Sequence, residues 1–150
     1  MNLLSRREHS EKEIYMKLIK FVESKIRLND EIEKLKNEDL LSDARFSEAY
    51  MRSRFNSGFG PVRIKYELNK KGVSKILIDR ALIETDLDWD QKMIDEYKKK
   101  YDSNRTKDQN FLKISKFLLY RGFDLEKIKI DESFPSYILE NKDKLLKWII

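Results

Sequence analysis

Residues 43–87 read DARFSEAYMRSRFNSGFGPVRIKYELNKKGVSKILIDRALIETDL, and this stretch decides the fold. It holds three apolar patterns at helical spacing, separated by two glycine-bearing turns. Phe46, Ala49, Tyr50 and Ser53 recur at i, i+3, i+4 and i+7, which predicts a helix capped by Asp43 with that face inward. Asn56-Ser57-Gly58 ends it. Gly60-Pro61 then supplies a cap glycine and a proline at the first helical position, where the missing N–H costs nothing. The next helix turns Ile64 and Leu68 inward and stops at Lys71-Gly72, a glycine suited to the left-handed residue after a helix. Ser74 caps a third helix. Its Ile76, Leu77, Ile78, Ala81, Leu82 and Ile83 leave little polar face, so it is expected to be the most buried of the three.

On the N-terminal side, Ser10 and Glu13 form a capping-box pair, and Ile14, Leu18 and Phe21 follow, which predicts a helix from Glu11 to about Ser24. A second helix is expected from Asn29 or Asp30 to near Asp39, with Ile32, Leu35 and Leu40 as its stripe. On the C-terminal side, Asp88 opens a helix with Trp89, Met93, Ile94 and Tyr97 as apolar positions, and KKKYDSNRTKD follows as a polar loop expected to be mobile. A helix from about Gln109 to Arg121 carries Phe111, Ile114, Phe117 and Leu118, and Gly122 ends it. Asp124 caps a short helix with Leu125, Ile128 and Ile130; a tail broken by Pro135 adds one last amphipathic segment.

These elements repeat. Ile14, Ile64 and Ile114 stand fifty residues apart, as do Leu18, Leu68 and Leu118. Gly72 and Gly122 keep the interval, and Ser10, Gly60 and Asn110 occupy equivalent cap positions. A fixed period of this size marks units that cannot bury their apolar faces alone and stack on their neighbours. The expected organisation is an all-α chain of tandem three-helix repeats in an elongated, curved array: an incomplete repeat over 1–42, a complete one over 43–87, a third over 88–130, and a tail over 131–150 that caps it.

Composition narrows the function. The 150 residues are 39% charged, with 4 glycines and 2 prolines, which suits helices with wide solvated faces and argues against a turn-rich β chain. No cysteine is present, so disulfides and thiolate metal sites are excluded. The first residues lack the apolar core of a signal peptide, and no apolar run approaches the roughly 20 residues needed to span a bilayer; a cytoplasmic, monomeric protein is expected. Net charge of +5 favours a polyanionic partner.

The residues offer little for catalysis. His9 is the only histidine, beside a helix start, where caps and surface residues are common. Asp39, Asp43 and Glu48 fit no calcium or zinc loop. Gly58-Phe59-Gly60-Pro61 lacks the later glycine and lysine of a phosphate loop and reads as a helix–helix turn, with Phe59 available to a partner. No enzyme and no cofactor are expected. The two helices around KKGVS resemble a helix-turn-helix, but the second, apolar nearly all round, would have to expose its core to read bases.

Charge gives the strongest signal. From Ala49 to Tyr66 there are Arg52, Arg54, Arg63 and Lys65 and no acidic residue; Lys70, Lys71 and Lys75 follow against one Glu67. Arg52 and Arg54 close a helix, where its dipole favours cations. Arg63 and Lys65 open one, where cations are disfavoured, which points to use by a partner.

The segments LSRREHSEKEI, LLSDARFSEAYMRSRFNSGFGPVRIKYELNKKGVSKILIDRAL and FLLYRGFDLEKI resemble the RecX regulatory proteins over residues 3–130. That resemblance implies three tandem three-helix repeats and a partner, the bacterial recombinase RecA filamented on single-stranded DNA. RecX proteins lodge in the filament groove, suppress ATPase, strand exchange and co-protease activities, and so modulate DNA repair, recombination and the SOS response; many also bind DNA weakly. Of the matching positions, Phe46, Gly60, Pro61, Leu68 and Gly72 are expected to be structural. The expected contact residues are Arg52, Arg54 and Arg63, then Lys65, Lys70, Lys71 and Arg45, with Arg6 and Arg7 at the N-terminal motif. A general single-stranded nucleic-acid-binding repeat protein is the alternative.

Overall fold

The computed structural model describes residues 3–101 and 111–124, with the side chains of 101, 111 and 112 left aside. Every regular element among them is helical: α1 (Glu11–Leu18), α2 (Lys25–Asn37), α3 (Asp43–Asn56), α4 (Pro61–Lys70), α5 (Lys75–Thr85), α6 (Trp89–Tyr101) and α7 (Phe111–Arg121), with a 3₁₀ turn at Ile19–Phe21. Helix α6 runs through Lys98–Tyr101, which the polar-loop expectation had excluded. Gln109, the eighth helix and the tail over 131–150 lie outside the described residues.

The chain forms two compact units, Met1–Ser53 with Lys65–Asp86, and Arg54–Ile64 with Leu87 onward. In the first, Ile14, Leu28, Ile32 and Leu41 form a buried cluster beneath Leu3, Leu4, Tyr15, Leu18, Ile19 and Leu35. Phe46, Met51, Leu68, Val73, Ile78 and Ala81 are also buried in this unit. In the second, Ile64, Met93, Ile94, Tyr97, Ile114, Leu118 and Phe123 are buried.

The capping box at Ser10 is present: its side chain accepts from Glu13 N, and the Glu13 carboxylate accepts from Ser10 N. Helix α2 begins earlier than the spacing predicted. Ser24 Oγ accepts from Arg27 N at 3.4 Å, which caps a helix from Lys25 and brings Leu28 into the core. Its end also differs. Asp39 takes a left-handed conformation (φ 57°), and the turn buries Leu41 rather than Leu40.

Asp43 is not the cap of α3. Ser42 Oγ receives Arg45 N at 3.2 Å, and the Asp43 carboxylate receives Glu11 N at 2.9 Å, closing the start of α1 instead. The inward face of α3 is Phe46, Ser47 and Met51, while Ala49 and Ser53 are exposed. Ser47 can sit inside because its hydroxyl donates to the Asp43 carbonyl at 2.6 Å, so burial leaves no orphaned donor.

Helix α5 also corrects its expectation. Ile78, Ala81 and Thr85 are buried, but Ile76 and Ile83 are 79% and 77% exposed. Apolar composition leaves open which stripe faces the core; here Thr85 is accepted inside because its Oγ1 donates to the Ala81 carbonyl at 2.7 Å.

The fifty-residue period has a structural counterpart. Ile14, Ile64 and Ile114 are 2%, 0% and 2% exposed. Ser10 Oγ donates to the Lys71 carbonyl at 2.8 Å within the first unit; Gly60 N donates to the Arg121 carbonyl at 2.8 Å within the second. Both partners have moved by fifty, so the same junction is built twice. Gly72 (φ 84°) and Gly122 (φ 94°) each end the helix that carries the accepting carbonyl.

Candidate partner-binding surface

Helices α3, α4 and α7 all end in the same motif. Gly58 N donates to Phe55 O and Phe59 N to Arg54 O; Gly72 N and Val73 N repeat this toward Asn69 and Leu68, and Gly122 N and Phe123 N toward Leu119 and Leu118. This Schellman pattern brings the second residue beyond the helix over the side chain five positions earlier, usually as an apolar contact. Val73 with Leu68, and Phe123 with Leu118, occupy those places as buried apolar residues. At the end of α3 the pair is Phe59 with Arg54, and the Arg54 guanidinium lies 3.8 Å from the ring centroid.

Phe59 gathers more cations. Arg63, one turn into α4, lies 4.4 Å from its centroid, and Arg121, the last residue of α7, 4.9 Å. Arg63 also lies 5.1 Å from the Tyr120 ring, and Arg121 5.4 Å from Phe117. Lys100 stands 3.9 Å from Phe117. Backbone carbonyls orient two of the guanidiniums: Arg63 Nη1 donates to Tyr120 O and Arg121 Nη1 to Ser57 O, both at 3.3 Å. Phe59, Arg63, Lys100, Phe117, Tyr120 and Arg121 together line a cavity of about 340 Å³. Tyr120 is 73% exposed. All of this lies within the second unit.

Of the residues expected at the site, Arg54 and Arg63 therefore meet. Arg121, Lys100 and Tyr120 join them and were not among the expected contacts. The period held a signal for Arg121, which stands fifty residues after Lys71.

The other expected cations belong to the first unit. Arg45 is held by Glu8 at 3.0 Å and by the Asp39 carboxylate and carbonyl at 2.6 and 2.8 Å, an arrangement that ties the N-terminal segment to the α2–α3 turn. Arg7 and Lys71 converge on the Glu13 carboxylate at 3.0 and 2.9 Å. Burial raises the Glu13 pKa, but hydrogen bonds from Arg7 and Lys71, and their charges, overcome it and hold the group at about 2. Lys70 and Lys65 are exposed, Lys70 beside Tyr66 and Lys65 4.0 Å from Asp79. Arg52 is exposed and reaches the Thr85 carbonyl at 3.4 Å; Arg6 is exposed near the N-terminus.

His9 is 2% exposed, not on the surface. Its Nδ1 lies 3.0 Å from the Arg7 carbonyl and its Nε2 3.0 Å from Lys17 Nζ. Burial lowers its pKa; the Arg7 carbonyl opposes this, and the charges of Arg7 and Lys17 reinforce it. A neutral ring that donates through Nδ1 and accepts through Nε2 satisfies both neighbours, which is a structural role. Among the described residues, no helix is long and apolar enough to cross a membrane.

The family model for RecX, second three-helix domain, matches residues 42–82, the segment that carries Arg54, Phe59 and Arg63. A Regulatory protein RecX from Pseudomonas putida is 38% identical over 129 residues, 85% of this chain and 83% of its own length. The chain belongs to the RecX family. Its similarity to RecX extends to Cronobacter sakazakii, whose Regulatory protein RecX is 36% identical over 86% of this chain and 85% of its own. The crystal structure of RecX from Lactobacillus salivarius matches with a TM-score of 0.66 at 24% identity, over 99% of this chain and 90% of that one, in agreement with the all-helical fold.

Proposed function

We propose that this RecX-family chain binds the RecA recombinase filament on single-stranded DNA and inhibits its ATPase, strand-exchange and co-protease activities in the cytoplasm. The observation that carries the reading is the convergence of Arg54, Arg63 and Arg121 on Phe59, in and beside the segment that matches the family model. A helix start normally attracts carboxylates. Arg63 stands there against that tendency, held over two rings. Three guanidiniums and the Lys100 ammonium form a surface for a polyanion, whether acidic protein or DNA backbone.

In this reading the three-helix repeats span 1–42, 43–87 and 88–130, and the tail over 131–150 closes the last. Binding restrains the RecA subunit motions that accompany ATP turnover. RecA ATPase on single-stranded DNA, measured with the protein below stoichiometry, tests it: the rate falls if the reading is right and stays constant if it is wrong. A general single-stranded nucleic-acid binder without a RecA role would bind DNA and leave that rate alone.

A further inference from the structure

We propose that the outward face of α5 pairs with the same face of a second copy of this chain, the two helices running parallel about a twofold axis. The surface lies wholly within the first unit, and the proposal does not depend on the RecA reading.

The helical period sets the face. Ile78, Ala81 and Thr85 turn to the core, and at about 100° per residue Ile76 and Ile83 fall on the opposite side, about 20° apart. They are the two most exposed apolar side chains of the helix. Isoleucines one heptad apart, on the line farthest from the core, form the kind of seam along which helices pair. Counted in the same way, Asp79 and Arg80 stand about 50° to either side of that seam, at nearly the same height along the helix.

Charge then selects the partner and its direction. A parallel copy brings Ile76 to Ile76 and Ile83 to Ile83, and sets each Asp79 opposite the partner's Arg80, so that two ion pairs close over the seam. An antiparallel copy sets Asp79 against Asp79 and Arg80 against Arg80, and both contacts repel. A uniformly acidic or uniformly basic partner satisfies one flank and is repelled at the other, whereas this two-signed face complements itself. The charges are free to turn to such a partner. Asp79 stands 3.6 Å from Lys75 and 4.0 Å from Lys65, and Arg80 3.9 Å from Glu84, long pairs between side chains that are each 45% exposed or more, where an ion pair contributes little. Two isoleucines from each copy cover far less than the roughly 1,000 Å² of a stable interface, so free copies pair weakly. Copies held side by side on one polymer pair more readily, because tethering raises their effective concentration.

The chain has no cysteine, so single introduced thiols report contact without background. The test is oxidative cross-linking of the full chain by copper–phenanthroline, without RecA or DNA. Ile76→Cys and Ile83→Cys should each form disulfide dimers about tenfold faster than Met16→Cys, an exposed control on α1. Adding Asp79→Arg to Ile76→Cys should slow cross-linking to the control rate. Adding Arg80→Asp to that variant should restore it, because the two pairs re-form with their signs exchanged. Circular dichroism checks that each variant folds, as the exposure of this face leads one to expect. The proposal is overturned if Ile76→Cys cross-links no faster than Met16→Cys, if Asp79→Arg leaves the rate unchanged, or if Arg80→Asp fails to restore it in a folded protein. It is overturned equally if a mixture of Ile76→Cys and Ile83→Cys gives mainly the mixed dimer, which is the antiparallel result.

Discussion

Replacing Glu13 with glutamine should weaken the fold at neutral pH and matter little in strong acid. The carboxylate receives Arg7 at 3.0 Å, Lys71 at 2.9 Å and the Ser10 amide at 3.4 Å, with only 15% of its side chain exposed. A pKa lowered from 4.5 to about 2 would correspond to about 3 kcal/mol if fully expressed. Arg7 is half exposed and Lys71 about a third exposed, so water screens both, and about 1–2 kcal/mol is the expected loss. Because the folded pKa lies below the unfolded one, this stability is present above pH 4.5 and disappears as pH falls through about 2. His9 adds the same sign: its lowered pKa means that stability present above pH 6.5 declines below it. Asp43, whose pKa burial raises, acts in the opposite sense and offsets part of the trend. Urea unfolding of wild type and Glu13→Gln from pH 7 to pH 2 measures the difference. Equal stabilities at pH 7, or a deficit that persists undiminished at pH 2, would refute the reasoning.

Two further substitutions test the fold. Gly122→Ala combines strain at φ 94° with a Cβ that presses on Arg63 Cβ and lies 2.6 Å from the Arg63 backbone nitrogen, which cannot swing away. It should cost about 2–4 kcal/mol by thermal or urea unfolding, and a cost under about 0.5 kcal/mol would mean that the junction yields. Ile78→Ala should cost about 2–4 kcal/mol, whereas Ile76→Ser, two residues away, should change stability by under about 0.5 kcal/mol; similar losses at both would return α5 to the fully buried role that its composition suggested.

Much of the fold was legible because it rests on local rules. Gly58, Gly72 and Gly122 mark three helix ends that take a left-handed residue, and all three have positive φ here; Asp39 and Asp86 fill the same role at two other ends without a glycine to announce it. The isoleucine column recurs at buried positions, Ile14, Ile64 and Ile114; in the leucine column Leu68 and Leu118 are buried and Leu18 is partly buried. Helix faces were harder to read. Ser47 and Thr85 are buried because their hydroxyls bond within their own helices, while Ile76 and Ile83 remain outside; hydropathy alone ranks these four the wrong way round. Leu40 and Leu41 exchanged places because of one left-handed residue, Asp39. The candidate site was half legible. Arg54 and Arg63 stood out as cations in an acid-free stretch, but their meeting with Arg121, Lys100 and Tyr120 depends on how the second unit folds, and no local spacing encodes it.

The surface around Phe59 is proposed to engage a RecA filament. The most direct measurement is the rate of RecA ATP hydrolysis on single-stranded DNA as protein is added below stoichiometry, with Arg54→Glu/Arg63→Glu as the matched control. Wild type should lower the rate, and the folded double variant should do so only at much higher concentration. An unchanged rate with wild type would contradict it.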